Sequence, residues 1–254
     1  MRHVGREQRI VVLRPPLDKA RTEPSARRYP DPVPEDVLRL LPQRLGLPRG
    51  RAALPESEVA ASQRGRIMQA VSDEVAARGY ARTTVAAITG RARVSRTTFY
   101  QCFADKEESF AAAHESISEQ LVQVIREQAG ALPDSAWQER IRIGVQALTA
   151  SLEARPTFAR SFMVEVHGAG PRLVAQRDEV VERHARSLAR VAALAAAAGA
   201  AVRIPTELEV VGAIGATEEL IAREIRRTAP KARLSLRRVV APVVTIHTAV
   251  LRPE

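Results

Sequence analysis

Residue types suited to gripping a polyanion are concentrated in one short stretch of this 254-residue chain. It opens with Gly79-Tyr80-Ala81-Arg82-Thr83-Thr84-Val85-Ala86-Ala87-Ile88. After five further residues it continues Val94-Ser95-Arg96-Thr97-Thr98-Phe99-Tyr100-Gln101-Cys102-Phe103-Ala104-Asp105-Lys106-Glu107-Glu108. Residues 82–106 carry five Lys or Arg against one acidic residue, whereas the 148 residues after Lys106 carry 19 against 18. A basic head on a near-neutral body fits a polyanion docking at one end. The overall charge of +10 says less, because lysine occurs only three times and the excess arginine matches a general compositional bias.

Other chemistries find less support. The five histidines (His3, His114, His167, His184, His247) lack metal-ligand spacing, and no glycine-rich phosphate loop appears. The single Cys102 excludes an internal disulfide framework. Pairing it with His114 as a nucleophile would place the thiol beside a groove-facing helix rather than in a cleft. The chain therefore reads as a non-enzyme, with no catalytic residues, no metal and no cofactor.

To present the basic stretch, the chain needs short helices braced on one another. A first helix is expected over about 57–78, with Ile67, Met68, Val71 and Val75 on one face and Gly79 stopping it. Thr83 is expected to cap a second helix burying Val85 and Ile88. Ser95 caps a third, with Val94 as a hydrophobic staple and Phe99 and Phe103 four apart toward the core. Asp105 and Glu108 form a capping box for a fourth. The pattern is a helix-turn-helix, whose exposed polar face suits the major groove.

The span Gln63–His114 resembles the DNA-binding domain of the TetR family of transcriptional repressors. Carrying the likeness are Arg64 and Arg66, Arg78-Gly79-Tyr80, Thr83-Thr84-Val85, Val94-Ser95, Phe99-Tyr100, Phe103 and Asp105-Lys106-Glu107-Glu108. The resemblance implies that Arg96, Thr97 and Gln101 face base edges, Arg96 suiting guanine and Gln101 adenine. It implies phosphate contacts for Thr84, Thr98 and Tyr100, and for Lys106 at a helix start. Two positions depart from the family pattern. Arg93 stands where a glycine usually makes a left-handed turn, and Cys102 stands where histidine is common.

Domain organisation follows from the breakers. Residues 1–56 form a Pro/Arg-rich extension, with nine of the sixteen prolines, expected to be mostly disordered. Within it, Arg49-Gly50-Arg51 is either a minor-groove arm or a solvated tail. Residues 57–106 form the helix-turn-helix domain and 107–254 a helical ligand-binding and dimerisation domain. Helices are expected to about Gln128, from Asp134 or Ser135 to Ala154, around Phe158–Val166, from Pro171 to Gly199, and over about 205–228 and 231–251. The fold class is all-α: an N-terminal three-helix helix-turn-helix DNA-binding domain plus a C-terminal helical ligand-binding and dimerisation domain.

The last two helices carry Leu208, Val211, Ile214, Ile221 and Ile225 with small Gly212, Gly215 and Ala216, then Leu236, Val239, Val240, Val243, Val244 and Val250. This exceeds what one subunit's core needs, so a homodimer through these helices is expected, as the resemblance also implies. A cavity for an unidentified small-molecule effector is expected in the body, with Trp137, Phe158, Phe162 and Met163 as walls and Glu165 and His167 as polar anchors. The longest apolar run is too short to span a bilayer and no cleavable signal is visible, so a cytoplasmic location without membrane association is expected. The expected function is a ligand-responsive, sequence-specific regulator, a repressor binding a palindromic DNA operator as a dimer. The alternative is a DNA-binding module without strong sequence preference or inducer.

Overall fold

A computed structural model describes residues 56–229 and 232–253. The expectations for residues 1–55, the Arg49-Gly50-Arg51 arm among them, and the start of the last helix at Lys231 lie outside the described residues. Among these, nine α-helices and one 3-10 turn occur, with no strand. The head is built from α1 (Glu56–Arg78), α2 (Val85–Ala92), α3 (Arg96–Cys102) and the start of α4 (Lys106–Gly130). The body adds α5 (Trp137–Glu153), α6 (Pro156–Met163), the 3-10 turn Glu165–Gly168 and α7 (Pro171–Ala197). It closes with α8 (Glu207–Arg227) and α9 (Arg237–Leu251).

Local chemistry sets most head boundaries. Gly79 ends α1 at φ +82°, a conformation that strains residues bearing a Cβ. Ser95 Oγ caps α3 by accepting from Thr98 N at 2.9 Å, and Asp105 Oδ1 caps α4 by accepting from Glu108 N at 2.7 Å. The reciprocal bond at α4 comes from one residue earlier than a regular capping box, with Ala104 N donating to Glu108 Oε2 at 2.6 Å. The cap of α2 also differs from expectation. Thr84, not Thr83, accepts from Ala87 N, at 3.2 Å. Thr83 is buried and turns its hydroxyl back to Gly79 O, at 2.9 Å. Thr84 has the extended backbone that an N-cap requires, at φ −120° and ψ 154°.

Body boundaries shift more. α5 begins at Trp137, beyond Asp134 and Ser135, and has no side-chain cap. Asp134 is instead ion-paired to Arg140. α6 stops at Met163, and Val166 falls in the 3-10 turn. α9 starts at Arg237, leaving Leu236 fully buried at its N-cap. A capping box at α8 joins Thr206 to Glu209, whose carboxylate also receives the Arg203 guanidinium at 2.6 and 2.9 Å.

Two apolar cores result. The head core holds Ile67, Val71, Val75, Ile88, Phe99, Phe103 and Phe110, and is closed by Val166, Ala169 and Leu173. The residues closing it come from the 3-10 turn and the start of α7, so body residues complete the head's packing. The body core runs from Leu121 to Leu251 and includes Trp137, Phe158, Phe162, Ile221 and Leu236.

Candidate functional site

One face of α3 is buried and the other is bare. Phe99 and Phe103 are almost fully buried, their ring centroids 6.1 Å apart. Arg96, Thr97, Tyr100 and Gln101 are exposed on the far side, Tyr100 by 58%. Tyr100 keeps an edge-on contact with Phe99 at 5.4 Å, which holds its ring while leaving the hydroxyl outward. A seven-residue helix is too short to persist alone, so its mount matters.

Two arginines of α1 supply that mount. Arg64 Nη1 donates to Cys102 O at 2.8 Å, and its guanidinium lies 4.2 Å from the Phe103 ring centroid. Arg66 Nη1 donates to Ala92 O at 3.3 Å. Each places positive charge on the C-terminal carbonyls of one motif helix, where the helix dipole favours it. Behind them, buried Glu74 on α1 binds Arg91 of α2 at 2.5 Å and Arg78 at 2.7 Å. These α1 side chains support the motif through carbonyls and a buried carboxylate. Their spacing in sequence carried no sign of those partners.

The turn before α3 uses the non-glycine residue noted above. Arg93 adopts φ 55° and ψ 49°, the left-handed region, and its N–H faces Gly90 O and Thr89 O. It has the sole positive φ among described non-glycine residues. The turn therefore keeps its left-handed geometry and takes on the strain of a side chain.

Thr84 is exposed at the N-terminus of α2, its oxygen occupied as a cap and its hydroxyl hydrogen available. Thr98 is half-buried, 2.9 Å from Ser95 Oγ. Lys106, for which the resemblance implies a phosphate contact, is engaged within the head. Its Nζ donates inward to Tyr80 O at 3.0 Å and Thr83 O at 2.9 Å, and lies 4.3 Å from the Tyr80 ring centroid. Two of its three hydrogens thus fasten the α1–α2 turn to α4, where the turn carbonyls lack helical partners.

The body holds a cavity of about 520 Å³ between α4, α5, α7, α8 and α9, with α6 at one end. Apolar walls include Leu121, Ile125, Val145, Leu188, Val191 and Ile214. Phe162 and Met163 line it as expected, but the other four expected residues do not. Trp137 and Phe158, 3% and 7% exposed, are plain core. Glu165 sits by the head, its Oε2 3.4 Å from where a Gly79 side chain would begin. His167 is exposed beside a crevice of about 10 Å³, room for at most a water.

The polar groups at the cavity come from elsewhere: His184, Thr217, Glu218 and His247, with Arg126, Arg140 and Arg190. His247 Nε2 lies 2.8 Å from Thr217 Oγ1. Burial pushes both His184 and His247 down to about 4, so both imidazoles are neutral at pH 7. Burial raises Glu218, opposed by the Arg177 guanidinium paired with it. These groups interrupt otherwise apolar helix faces, a signal too common in surface helices to single them out beforehand.

Residues 67–113 match the family model described as bacterial regulatory proteins, tetR family. This segment carries the helix-turn-helix of that family. No curated protein matches the chain. Solved structures similar to it have the fold of TetR-family regulators. The fatty acid degradation regulator FadR of Bacillus halodurans is 19% identical with a TM-score of 0.64, over 78% of this chain and 96% of its own. FadR of Bacillus subtilis, solved in complex with stearoyl-CoA, is 16% identical with a TM-score of 0.62, over 74% and 97%. A TetR family regulator from Marinobacter aquaeolei VT8 is 18% identical with a TM-score of 0.58, over 78% and 100%. The TetR head thus sits on an all-helical TetR-regulator fold. No helix among the described residues is long and apolar enough to cross a membrane.

Proposed function

We propose that the chain is a ligand-responsive, sequence-specific repressor that binds a palindromic operator as a dimer. Its 57–106 domain reads DNA, and its 107–254 domain binds effector and partner subunit. The observation carrying this reading is the two-faced α3. Its apolar face is locked into the head core, and Arg96, Thr97, Tyr100 and Gln101 are left outward. Arg96 and Gln101 supply the bidentate groups that read guanine and adenine, with Thr97 beside them. Thr84, Thr98 and Tyr100 supply hydroxyls to phosphates. Lys106 acts first as a clamp, with one hydrogen left for a phosphate.

Dimerisation is supported by small and apolar residues at the surface of the last two helices. Leu208 is 83% exposed, and a Cβ at Gly212 or Gly215 would meet nothing within 4 Å. On α9 the exposed residues Ala241, Pro242, Thr245 and Ala249 share one side. Small residues at these spacings let a second copy's helices approach closely, forming a four-helix seam. Two heads held about 34–36 Å apart would then read one palindrome.

The body cavity is the effector site of this reading, and the stearoyl-CoA complex of the Bacillus subtilis FadR supports an acyl-type effector. α6 is suited to transmit occupancy: Phe162 and Met163 line the cavity, and three residues later Val166 enters the head core. An effector that prefers one position of this segment shifts the heads by that differential affinity.

The test is selection of genomic fragments on the purified protein, followed by competition against random duplex. A specific operator should be preferred by about 10³-fold or more. Equal affinity for operator and random duplex would establish the alternative, a DNA-binding module without sequence preference.

A further inference from the structure

The cavity has two chemically different ends. α4 and α7 run parallel, because Gln176 donates to Ala111 O at 2.8 Å and Arg183 binds Glu115 at 2.9 Å. α8 meets the first part of α7 at the Arg177–Glu218 pair. Glu218, Thr217, Phe162 and Met163 therefore lie at the end toward the head. The short 131–136 connection brings the start of α5 to the end of α4, so Arg126, Gly130 and Arg140 lie at the far end, with Arg190 and Leu194 of α7. Lining residues on α7 extend from Val180 to Leu194, about 21 Å at 1.5 Å per residue.

Charge is just as uneven. The charged lining groups are Arg126, Arg140, Arg190 and Glu218, and Glu218 is matched by Arg177. Arg140 is held by Asp134. Arg126 and Arg190 are exposed, with no hydrogen bond or ion pair among the described residues. The histidines at the cavity are neutral at pH 7. The long walls between the ends are mostly aliphatic, interrupted on α7 by His184 and Ser187. Such a space takes an apolar chain lengthwise and offers guanidinium groups at one end only.

We infer that the cavity selects an amphipathic anion, an apolar chain carrying one anionic head group. The chain tip lies toward Phe162 and Met163 and the head group among Arg126, Arg140 and Arg190. This rests on the effector reading above and adds the charge requirement and the direction of entry. A free acyl carboxylate and an acyl thioester of a phosphorylated carrier share this chemistry.

The experiment is calorimetric titration of the full-length protein with decanoate, methyl decanoate and decanoyl-CoA, repeated on R126Q/R190Q. Decanoate or decanoyl-CoA should bind at least about tenfold tighter than the methyl ester, as one charge-assisted pair provides. Whichever anion binds tighter identifies the source. In R126Q/R190Q that preference should collapse while the ester binds as before, which shows that the cavity itself is intact. Equal binding of ester and anions by the unaltered protein would overturn the charge requirement and leave an apolar effector site standing. A preference that survives in R126Q/R190Q would overturn the assignment of the head group to these arginines. Binding of none of the three would overturn the effector reading for acyl chains together with this inference.

Discussion

At the scale of single residues, the head separates side chains that support from side chains that are free to touch DNA. Arg96 is exposed and unpartnered among the described residues, whereas Lys106 holds two backbone carbonyls. R96A should leave the melting temperature unchanged and weaken operator binding by about tenfold or more. K106M should instead lower stability by roughly 1–2 kcal/mol, because it leaves Thr83 O without a donor while Tyr80 O keeps only Thr83 N, at 3.1 Å. Measuring melting and anisotropy on both variants checks this division; a melting loss in R96A alone would reverse it. Arg93 offers a second case. R93G should raise stability by up to about 1 kcal/mol, by relieving a left-handed arginine. A lower melting temperature would mean that the Arg93 side chain has a stabilising contact outweighing the strain.

At the scale of elements, α3 depends on neighbours for its persistence. Its seven residues are capped by Ser95 at one end and held by Arg64 at the other. R64Q should cost about 1 kcal/mol and weaken DNA binding beyond that loss, since the last turn of α3 frays away from its groove-facing position. Hydrogen exchange at Gln101, Cys102 and Phe103 is the direct reading; unchanged protection there would remove Arg64 from this role. The expected helices of the head fall close to the observed ones because capping chemistry is local and each cap lies within four residues of its donor. In the body, α5 starts late and α6 breaks into a 3-10 turn. Both boundaries are set by packing against distant helices and by the Asp134–Arg140 pair, which short-range patterns do not encode.

At the scale of the whole molecule, the bare side of α8 and α9 and the buried histidines govern behaviour. T245R, which puts a charge in the centre of the α9 face, should yield a monomer in sedimentation and abolish tight operator binding without unfolding the subunit. A dimer of unchanged stability would place the seam elsewhere. Acid should weaken the fold. His114 is buried, stacked on Phe162 at 4.4 Å, and its Nδ1 has no hydrogen-bond partner. Burial chiefly depresses it from 6.5 to about 4, with Glu115 pulling upward and Arg177 and Arg183 pushing down. Between these values the unfolded chain binds the proton and the folded chain resists it. Stability is therefore complete above pH 6.5 and declines as pH falls toward 4. His184 and His247 act in the same direction. Denaturant melts at pH 7 and pH 5 should show this fall, and H114F should make it shallower. An equally steep fall in H114F would assign the loss to other groups.

The sequence by itself determined the helical class, the caps of α3 and α4 at Ser95 and Asp105 and the residues facing out of α3, because these depend on spacing and on hydrogen bonds within a few positions. Only the tertiary structure decided that Lys106 points inward, that Arg64 and Arg66 close two helix ends, and that Val166 belongs to the head core. It also decided which apolar faces enclose space. Phe162 and Trp137 are both buried and apolar, yet one lines the cavity and the other fills the core. A cavity is volume left over where five helices fail to meet, so it is a property of their mutual placement and not of any one helix's pattern.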